Sequence, residues 1–124
     1  GVPGAADYAI PFRSLADAMR LEERLSALEA TDLSQIRAAV IGGGPSGVEL
    51  ACKVADRLQE RGHVLLIERG DQILKSFNGG IRSAAYRALK ARQVQVELNT
   101  GIDAIAPNEI TLVRNNQTLP LAVD

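Results

Sequence analysis

The stretch VIGGGPSGVELA, residues 40–51, decides the fold of this 124-residue chain. It joins a short apolar run ending at Ile41 to a segment whose apolar residues recur at helical spacing, which predicts a strand, a tight turn and a helix. The glycines at positions 42, 44 and 47 match the pattern G-x-G-x-x-G. The pattern is weak by itself, but between a strand and a helix it is the fingerprint of a dinucleotide-binding turn.

Each glycine of this turn has a predicted task. Gly42 permits the sharp exit from the strand, Gly44 lets the backbone approach a pyrophosphate, and Gly47 lets the helix pack closely on the sheet. The helix N-terminus then offers free N–H groups to phosphate. Val48 and Glu49 follow the last glycine where a Walker loop has Lys and Ser/Thr, so that loop is excluded. The predicted cofactor-binding residues of the turn are Gly42, Gly43, Gly44, Pro45, Ser46 and Gly47.

An acidic residue follows the next apolar strand at the expected distance. Glu68 lies about 20 residues beyond Gly47, where the fingerprint has an acid that accepts hydrogen bonds from the adenosine ribose. A carboxylate there repels a 2′-phosphate, so NAD(H) is preferred over NADP(H). Arg69 is also a predicted cofactor contact, because its guanidinium could lie over adenine or partly neutralise a phosphate. Arg69 therefore keeps NADPH open as an alternative.

Other polar residues allow a functional or a structural interpretation. Glu49, one turn into the helix, lies near the mouth of the predicted site, yet an acid in a first helical turn is also favourable for the helix dipole alone. His63 and Cys52 have no partners for a metal site, and packing roles are expected for both. A group of basic residues is interpreted as the solvated face of a later helix: Arg82, Arg87, Lys90 and Arg92.

The periodicity along the whole chain predicts an α/β domain, a Rossmann-like fold of three layers. Residues 1–14 are expected to be a linker, and residues 15–124 an NAD(H)-binding domain with a parallel sheet of order 3-2-1. Beyond Gly101 three further strands predict an antiparallel β-meander. Helices are expected at 15–29, 46–61 and about 80–92, and strands at 38–41, 63–67, 94–98, 102–105, 109–114 and 118–121.

Side-chain burial and helix ends follow from the same patterns. Gly62 is expected to cap the helix that ends at Arg61. The apolar residues of the first and third helices are expected to face the core. These residues are Leu15, Ala18, Met19, Leu25 and Leu28 in the first helix, and Ile81, Ala84, Ala85, Ala88 and Leu89 in the third.

Composition excludes several classes of function. The net charge is −1, so no overall field favours nucleic acid or an anionic membrane. No apolar run reaches the ~18 residues of a membrane span, and a soluble chain without direct membrane contact is expected. Cys52 is the single cysteine, which excludes an intrachain disulfide and a Cys-x-x-Cys motif. No metal site is expected.

The stretch 40–51 resembles the second glycine motif of type II NADH:quinone oxidoreductases, within the flavoproteins that have two dinucleotide-binding domains and include the pyridine nucleotide-disulfide oxidoreductases. The segments 1–5, 11–18, 72–74 and 94–100 are similar to that family as well. The resemblance implies that NADH binds to this chain and passes a hydride to FAD, which then reduces a quinone. It also implies that Glu49 lies close to the nicotinamide as the catalytic positioning residue.

Departures from the family suggest a piece of a larger enzyme. The N-terminal FAD fingerprint and the later Gly-Asp motif are absent, so FAD is expected on another part of the whole enzyme and the isolated chain is expected to be inactive. The resemblance implies a place on the cytoplasmic face, a whole enzyme peripheral to a membrane, and room for a homodimer. The alternatives are a domain of a ferredoxin or disulfide reductase, or a non-catalytic NAD(H)-sensing module.

Overall fold

A computed structural model describes all 124 residues of the chain. Two helices begin the chain, strands and helices then alternate up to residue 97, and three consecutive strands follow. The elements are α1 (Ala5–Tyr8), α2 (Leu15–Glu29), β1 (Ile36–Ile41), α3 (Pro45–Leu58), β2 (Gly62–Ile67), α4 (Gly79–Ala91), β3 (Gln95–Glu97), β4 (Gly101–Ala106), β5 (Glu109–Arg114) and β6 (Gln117–Ala122). A 3₁₀ turn at Gln59–Arg61 joins α3 to β2.

The first sheet contains β1, β2 and β3, all parallel, with β2 in the centre. This is the predicted order, in which β3 is an edge strand. Ile41 pairs with Ile67 at the carboxyl ends of β1 and β2. Because parallel strands end at the same edge of a sheet, the glycine turn after β1 and the acid after β2 are brought together.

Strand β2 carries core residues on both faces, as expected for a central parallel strand. Val64 and Leu66 pack in the larger cluster, with residues of α2, α3 and α4. Leu65 and Ile67 pack in a second cluster with residues of the meander, including Ile110. The predicted three-layer α/β architecture is therefore confirmed, with helices on one face of the sheet and the meander on the other.

The second sheet is the antiparallel meander β4–β5–β6. The register shifts between Ile102 and Ala104, as at a β-bulge. Asn115 and Asn116 both have positive φ, 53° and 61°, in the tight connection between β5 and β6. Asparagine tolerates this left-handed backbone better than most residues, so the local sequence is sufficient to specify the hairpin.

Helix α2 begins at a capping box and packs less deeply than predicted. Ser14 Oγ accepts a hydrogen bond from the N–H of Asp17, and the Asp17 carboxylate accepts one from Ser14 N–H. Leu25 is buried, whereas Leu15 and Met19 are 78% and 57% exposed. The predicted core face of α2 is wrong in its first turns, because only the later part of the helix reaches the core cluster.

The N-terminal segment is more ordered than the expected linker. It contains the single-turn helix α1, and the N–H of Ile105 donates to the carbonyl of Pro3 at 2.8 Å. A Cβ on Gly4 would lie 1.7 Å from the carbonyl oxygen of Ile105, so the segment rests closely on β4. The first residues of the chain and α1 thus pack on β4 of the meander, whereas residues 12–14 are exposed.

Three smaller predictions about burial and capping are wrong. Gly62 has extended backbone and begins β2, while Gln59 takes the positive φ at the end of α3. Ile81 and Ala84 of α4 are exposed, because the residues of the helix that pack on the core come after them, with Leu89 buried. His63 is exposed near the amino end of β2 and is not a packing residue.

None of the helices has both the length and the hydropathy required to span a bilayer.

We expect the substitution Leu66→Ala to lower the free energy of unfolding by about 2–5 kcal/mol, because it opens a cavity where Leu66 is fully buried. Leu15→Ala makes the same chemical change at an exposed position and should alter that free energy by less than about 0.5 kcal/mol. Urea denaturation of both variants measures the difference. Equal losses would contradict the assigned core.

Candidate functional site

The glycine turn is tied to the central strand. Gly42 has a φ of 107°, which an L side chain rarely adopts, and its N–H donates to the carbonyl of Ile67 at 2.8 Å. This bond continues the pairing of β1 with β2 by one residue beyond the strand ends. The predicted role of Gly42 in the sharp exit from β1 is consistent with this backbone.

Gly47 is required by the turn itself. A Cβ on Gly47 would lie 1.8 Å from the carbonyl oxygen of Gly42, whereas the nearest atom of the sheet, Leu66 Cδ1, would be 3.8 Å away. The close contact is therefore between the helix start and the turn. The sequence predicted that Gly47 allows the helix to pack closely on the sheet. In the structure that contact is the looser one, and the closer contact is with the carbonyl of Gly42.

Gly44 and the start of α3 form the open side of the turn. Gly44 is the N-cap of α3, Pro45 follows at the first helical position, and no atom lies within 4 Å of a Cβ built on Gly44. The N–H groups of Ser46 and Gly47 have no acceptor within the chain. Free N–H groups and a positive helix end make this open space suited to an anion.

Gly43 faces the opposite way, into the protein. Its N–H donates to Glu68 Oε1 at 2.8 Å, and its carbonyl accepts from the N–H of Leu74 at 2.8 Å. A Cβ there would lie 2.9 Å from Ile73 Cγ2. Both backbone groups of Gly43 are thus occupied by the protein, and its part in the site is to support the turn.

Glu68 bridges the two loops that follow β1 and β2. Its Oε1 accepts from Gly43 N–H, and its Oε2 accepts from Gly70 N–H at 2.6 Å. These bonds fix the carboxylate at the carboxyl end of β2, beside the glycine turn. A carboxylate has about four acceptor positions, so two remain for hydroxyl groups of a ligand.

The other two predicted site residues lie at the surface. Arg69 is exposed and makes no hydrogen bond or ion pair within the chain. Glu49 is also exposed, and its Oε1 lies 3.2 Å from Lys53 Nζ, one turn further along α3. The exposed pair of Glu49 with Lys53 contributes little to stability, so Glu49 can exchange Lys53 for a ligand. Arg69, which has no partner in the chain, is likewise available to a ligand.

The loop between β2 and α4 was not predicted as part of the site. Its residues Ile73 and Leu74 are buried and contact Gly43. Arg82 of α4, expected to be solvated, donates to the carbonyls of this loop instead. The signals in the sequence are the apolar pair at 73–74 and the family resemblance of segment 72–74, and neither indicates what these residues contact.

The remaining basic residues and the cysteine lie away from the turn. Arg87 and Lys90 are exposed as predicted, while Arg92 donates to Asp56 Oδ1 at 2.9 Å. Cys52 packs beside the larger core cluster, and burial raises the pKa of its thiol, which keeps it protonated at neutral pH. Its predicted packing role is consistent with this.

A separate cavity lies away from the glycine turn. It has a volume of about 460 Å³ between the first sheet and the meander, and its lining includes Arg37, His63 and Gln95 toward the amino ends of the parallel strands. None of the predicted site residues lines it. No group of three or more His, Cys, Asp or Glu side chains is placed to hold a metal ion.

Several curated relatives match most of the chain. Demethylphylloquinone reductase NdbB of Synechocystis sp. is 42% identical over 99% of this chain and 30% of its own length. Coenzyme A disulfide reductase of Staphylococcus aureus is 32% identical over 86% of this chain and 22% of its own length. The chain thus spans about a third or less of these relatives.

A solved structure shows the same fold. NDH2 from Plasmodium falciparum in complex with NADH superposes with a TM-score of 0.85 and 18% identity over 99% of this chain and 30% of that chain. The family model described as pyridine nucleotide-disulphide oxidoreductase matches residues 1–124, the full length of the chain. With the glycine turn, the acid after β2 and the meander in place, the chain belongs to the pyridine nucleotide-disulphide oxidoreductase family.

Proposed function

We propose that this chain is the NAD(H)-binding domain of an FAD-dependent NADH:quinone oxidoreductase. The observation that carries the proposal is the open space over Gly44, next to the unpaired N–H groups of Ser46 and Gly47. A pyrophosphate placed there receives backbone hydrogen bonds and the positive end of α3 without displacing any side chain.

The ribose of the adenosine half is assigned to Glu68. Its carboxylate is already fixed by Gly43 and Gly70, so binding requires little further ordering of this side chain. The remaining acceptor positions suit the two ribose hydroxyls, and a 2′-phosphate in their place is repelled. Arg69 is exposed beside this acid and is assigned to the adenine or to a phosphate.

The reaction needs a second cofactor on another part of the whole enzyme. When bound, NADH supplies a hydride, and FAD accepts it before the electrons pass to a quinone. The contribution of this chain is to hold the dinucleotide in one position and orientation. A quinone is favoured as the acceptor because the relative with 42% identity is named a demethylphylloquinone reductase.

A disulfide reductase is the second candidate. The relative from Staphylococcus aureus carries that name and matches 86% of this chain. The same NAD(H) site serves both reactions, so the two candidates differ only in parts of the whole enzyme outside this chain.

Glu49 is proposed to orient the nicotinamide. It is the acidic residue of the first turns of α3 and is held only by an exposed pair with Lys53. A ligand group can therefore replace Lys53 as its partner at little cost.

We expect Gly44→Ala to weaken NADH binding by about tenfold or more, because the methyl group occupies the space proposed for the pyrophosphate. The backbone at Gly44 has φ −78° and ψ −176°, which alanine adopts, so the melting temperature should change little. Calorimetric titration with NADH measures the affinity. Gly79→Ala, also in open space, is the matched control, and equal affinities for both variants would refute the assignment.

Replacement of Glu68 should change the preference between the two dinucleotides. We expect Glu68→Ala to weaken NADH binding by about tenfold relative to any change in NADPH binding, because a charge-assisted hydrogen bond to ribose is lost. Loss of the hydrogen bond to Gly43 affects both ligands alike, so the ratio of the NADH affinity to the NADPH affinity isolates the ribose contact. Glu60→Ala removes an acid before the amino end of β2 and should leave the ratio unchanged. An unchanged ratio in Glu68→Ala would contradict the ribose role.

The role of Glu49 is tested with ligands that do and do not contain nicotinamide. We expect Glu49→Gln to weaken binding of NADH about tenfold, the factor that corresponds to one charged hydrogen bond, and to leave binding of ADP-ribose unchanged. Lys53→Gln breaks the same surface pair and serves as the control. If Glu49→Gln affects both ligands equally, Glu49 does not contact the nicotinamide.

A further inference from the structure

Arg82 holds together the loop that follows β2. Its Nε donates to the carbonyl of Ile73 at 3.2 Å, and its Nη2 lies 2.9 Å from the carbonyl of Phe77. The same Nη2 is 3.3 Å from the carbonyls of Leu74 and Lys75. Three N–H groups of one guanidinium are thus shared among four carbonyls that converge on it.

The position of Arg82 is itself fixed by the start of α4. Asn78 is the N-cap of the helix, and its Oδ1 accepts from the N–H of Ile81 at 2.9 Å. The N–H of Arg82 donates to the carbonyl of Asn78 at 3.1 Å. Residues 73–78, the later part of the loop, are therefore held by the first turn of α4.

Within this loop, Leu74 has a strained backbone. Its φ is 49°, a left-handed conformation that is unfavourable for a residue with a branched side chain. Its side chain is 7% exposed, its carbonyl faces Arg82, and its N–H donates to the carbonyl of Gly43. Such a conformation persists only where the surroundings determine it, and here three separate contacts do so.

The strained residue is the link to the glycine turn. Through Leu74 N–H and the methyl group of Ile73, the loop closes the inner side of Gly43. The N–H of Gly43 donates to Glu68, the acid assigned to ribose. The loop and Glu68 together determine where the turn places its outer N–H groups.

We propose that Arg82 is a positioning residue for the dinucleotide site, and this inference rests on the proposed function above. Arg82 bonds only to the loop carbonyls and the start of α4, so it acts through Leu74 and Ile73 on the turn at Gly43. Loss of the guanidinium releases the left-handed backbone of Leu74 and lets the turn move away from the pyrophosphate. A lysine in its place offers one point charge and cannot reach Ile73 and Phe77 in the same fork geometry.

The experiment measures the loop and the ligand separately. Amide hydrogen exchange of Leu74 reports the bond to Gly43, and calorimetric titration reports the affinity for NADH. The variants are Arg82→Ala, Arg82→Lys and, as the matched control, Arg87→Ala, which removes an exposed arginine of the same helix. Melting temperatures are recorded for all three.

We expect Arg82→Ala to raise the exchange rate of the Leu74 amide and to weaken NADH binding, each by about tenfold, the factor that corresponds to one charge-assisted hydrogen bond. Arg82→Lys should give intermediate values for both, and Arg87→Ala should match the unchanged chain. If Arg82→Ala is too unstable to study, the intermediate behaviour of Arg82→Lys carries the test.

Two results would overturn the inference. One is faster exchange at Leu74 with unchanged NADH affinity, which would restrict Arg82 to a structural role. The other is unchanged exchange at Leu74, which would mean that Arg82 does not hold the loop. If the unchanged chain binds no NADH, the proposed function fails and the positioning role for NADH fails with it, while the exchange data still show whether Arg82 orders the loop.

Discussion

The contact between Gly47 and the carbonyl of Gly42 is the constraint on which the site depends. It leaves no room for a side chain, since a Cβ on Gly47 would lie 1.8 Å from that oxygen. Gly42 is in turn bound to Ile67 at the end of β2. The beginning of α3 is therefore placed relative to the central strand by two backbone contacts, and the orientation of its free N–H groups follows from them.

Glu68 adds a second constraint on the same turn. Its carboxylate binds Gly43 and Gly70 and lies beside the positive end of α3, where a negative charge is favourable. The acid assigned to ligand recognition therefore also helps to build the turn on which the ligand rests. A site of this kind is largely formed before the ligand arrives, which reduces the entropy lost on binding.

Local patterns predicted most elements because each depends on residues close in the chain. The capping box at Ser14, the glycine turn at 42–47 and the Asn115-Asn116 hairpin are specified within a few residues. Burial was predicted less well. Leu15 and Ile81 match the helical period but are exposed, because a periodic pattern shows which face is apolar without showing how much of the helix reaches the core.

The sequence by itself determined the α/β class, the strand order, the meander and the glycines and acid of the candidate site. These features follow from periodicity, from spacing and from the steric needs of glycine. Only the tertiary structure decided that Glu68 supports Gly43, that Leu74 adopts a left-handed backbone and that Arg82 binds the loop around it. These contacts join residues from separate elements, and their geometry depends on how β2 and α4 pack, which no local pattern of residues encodes.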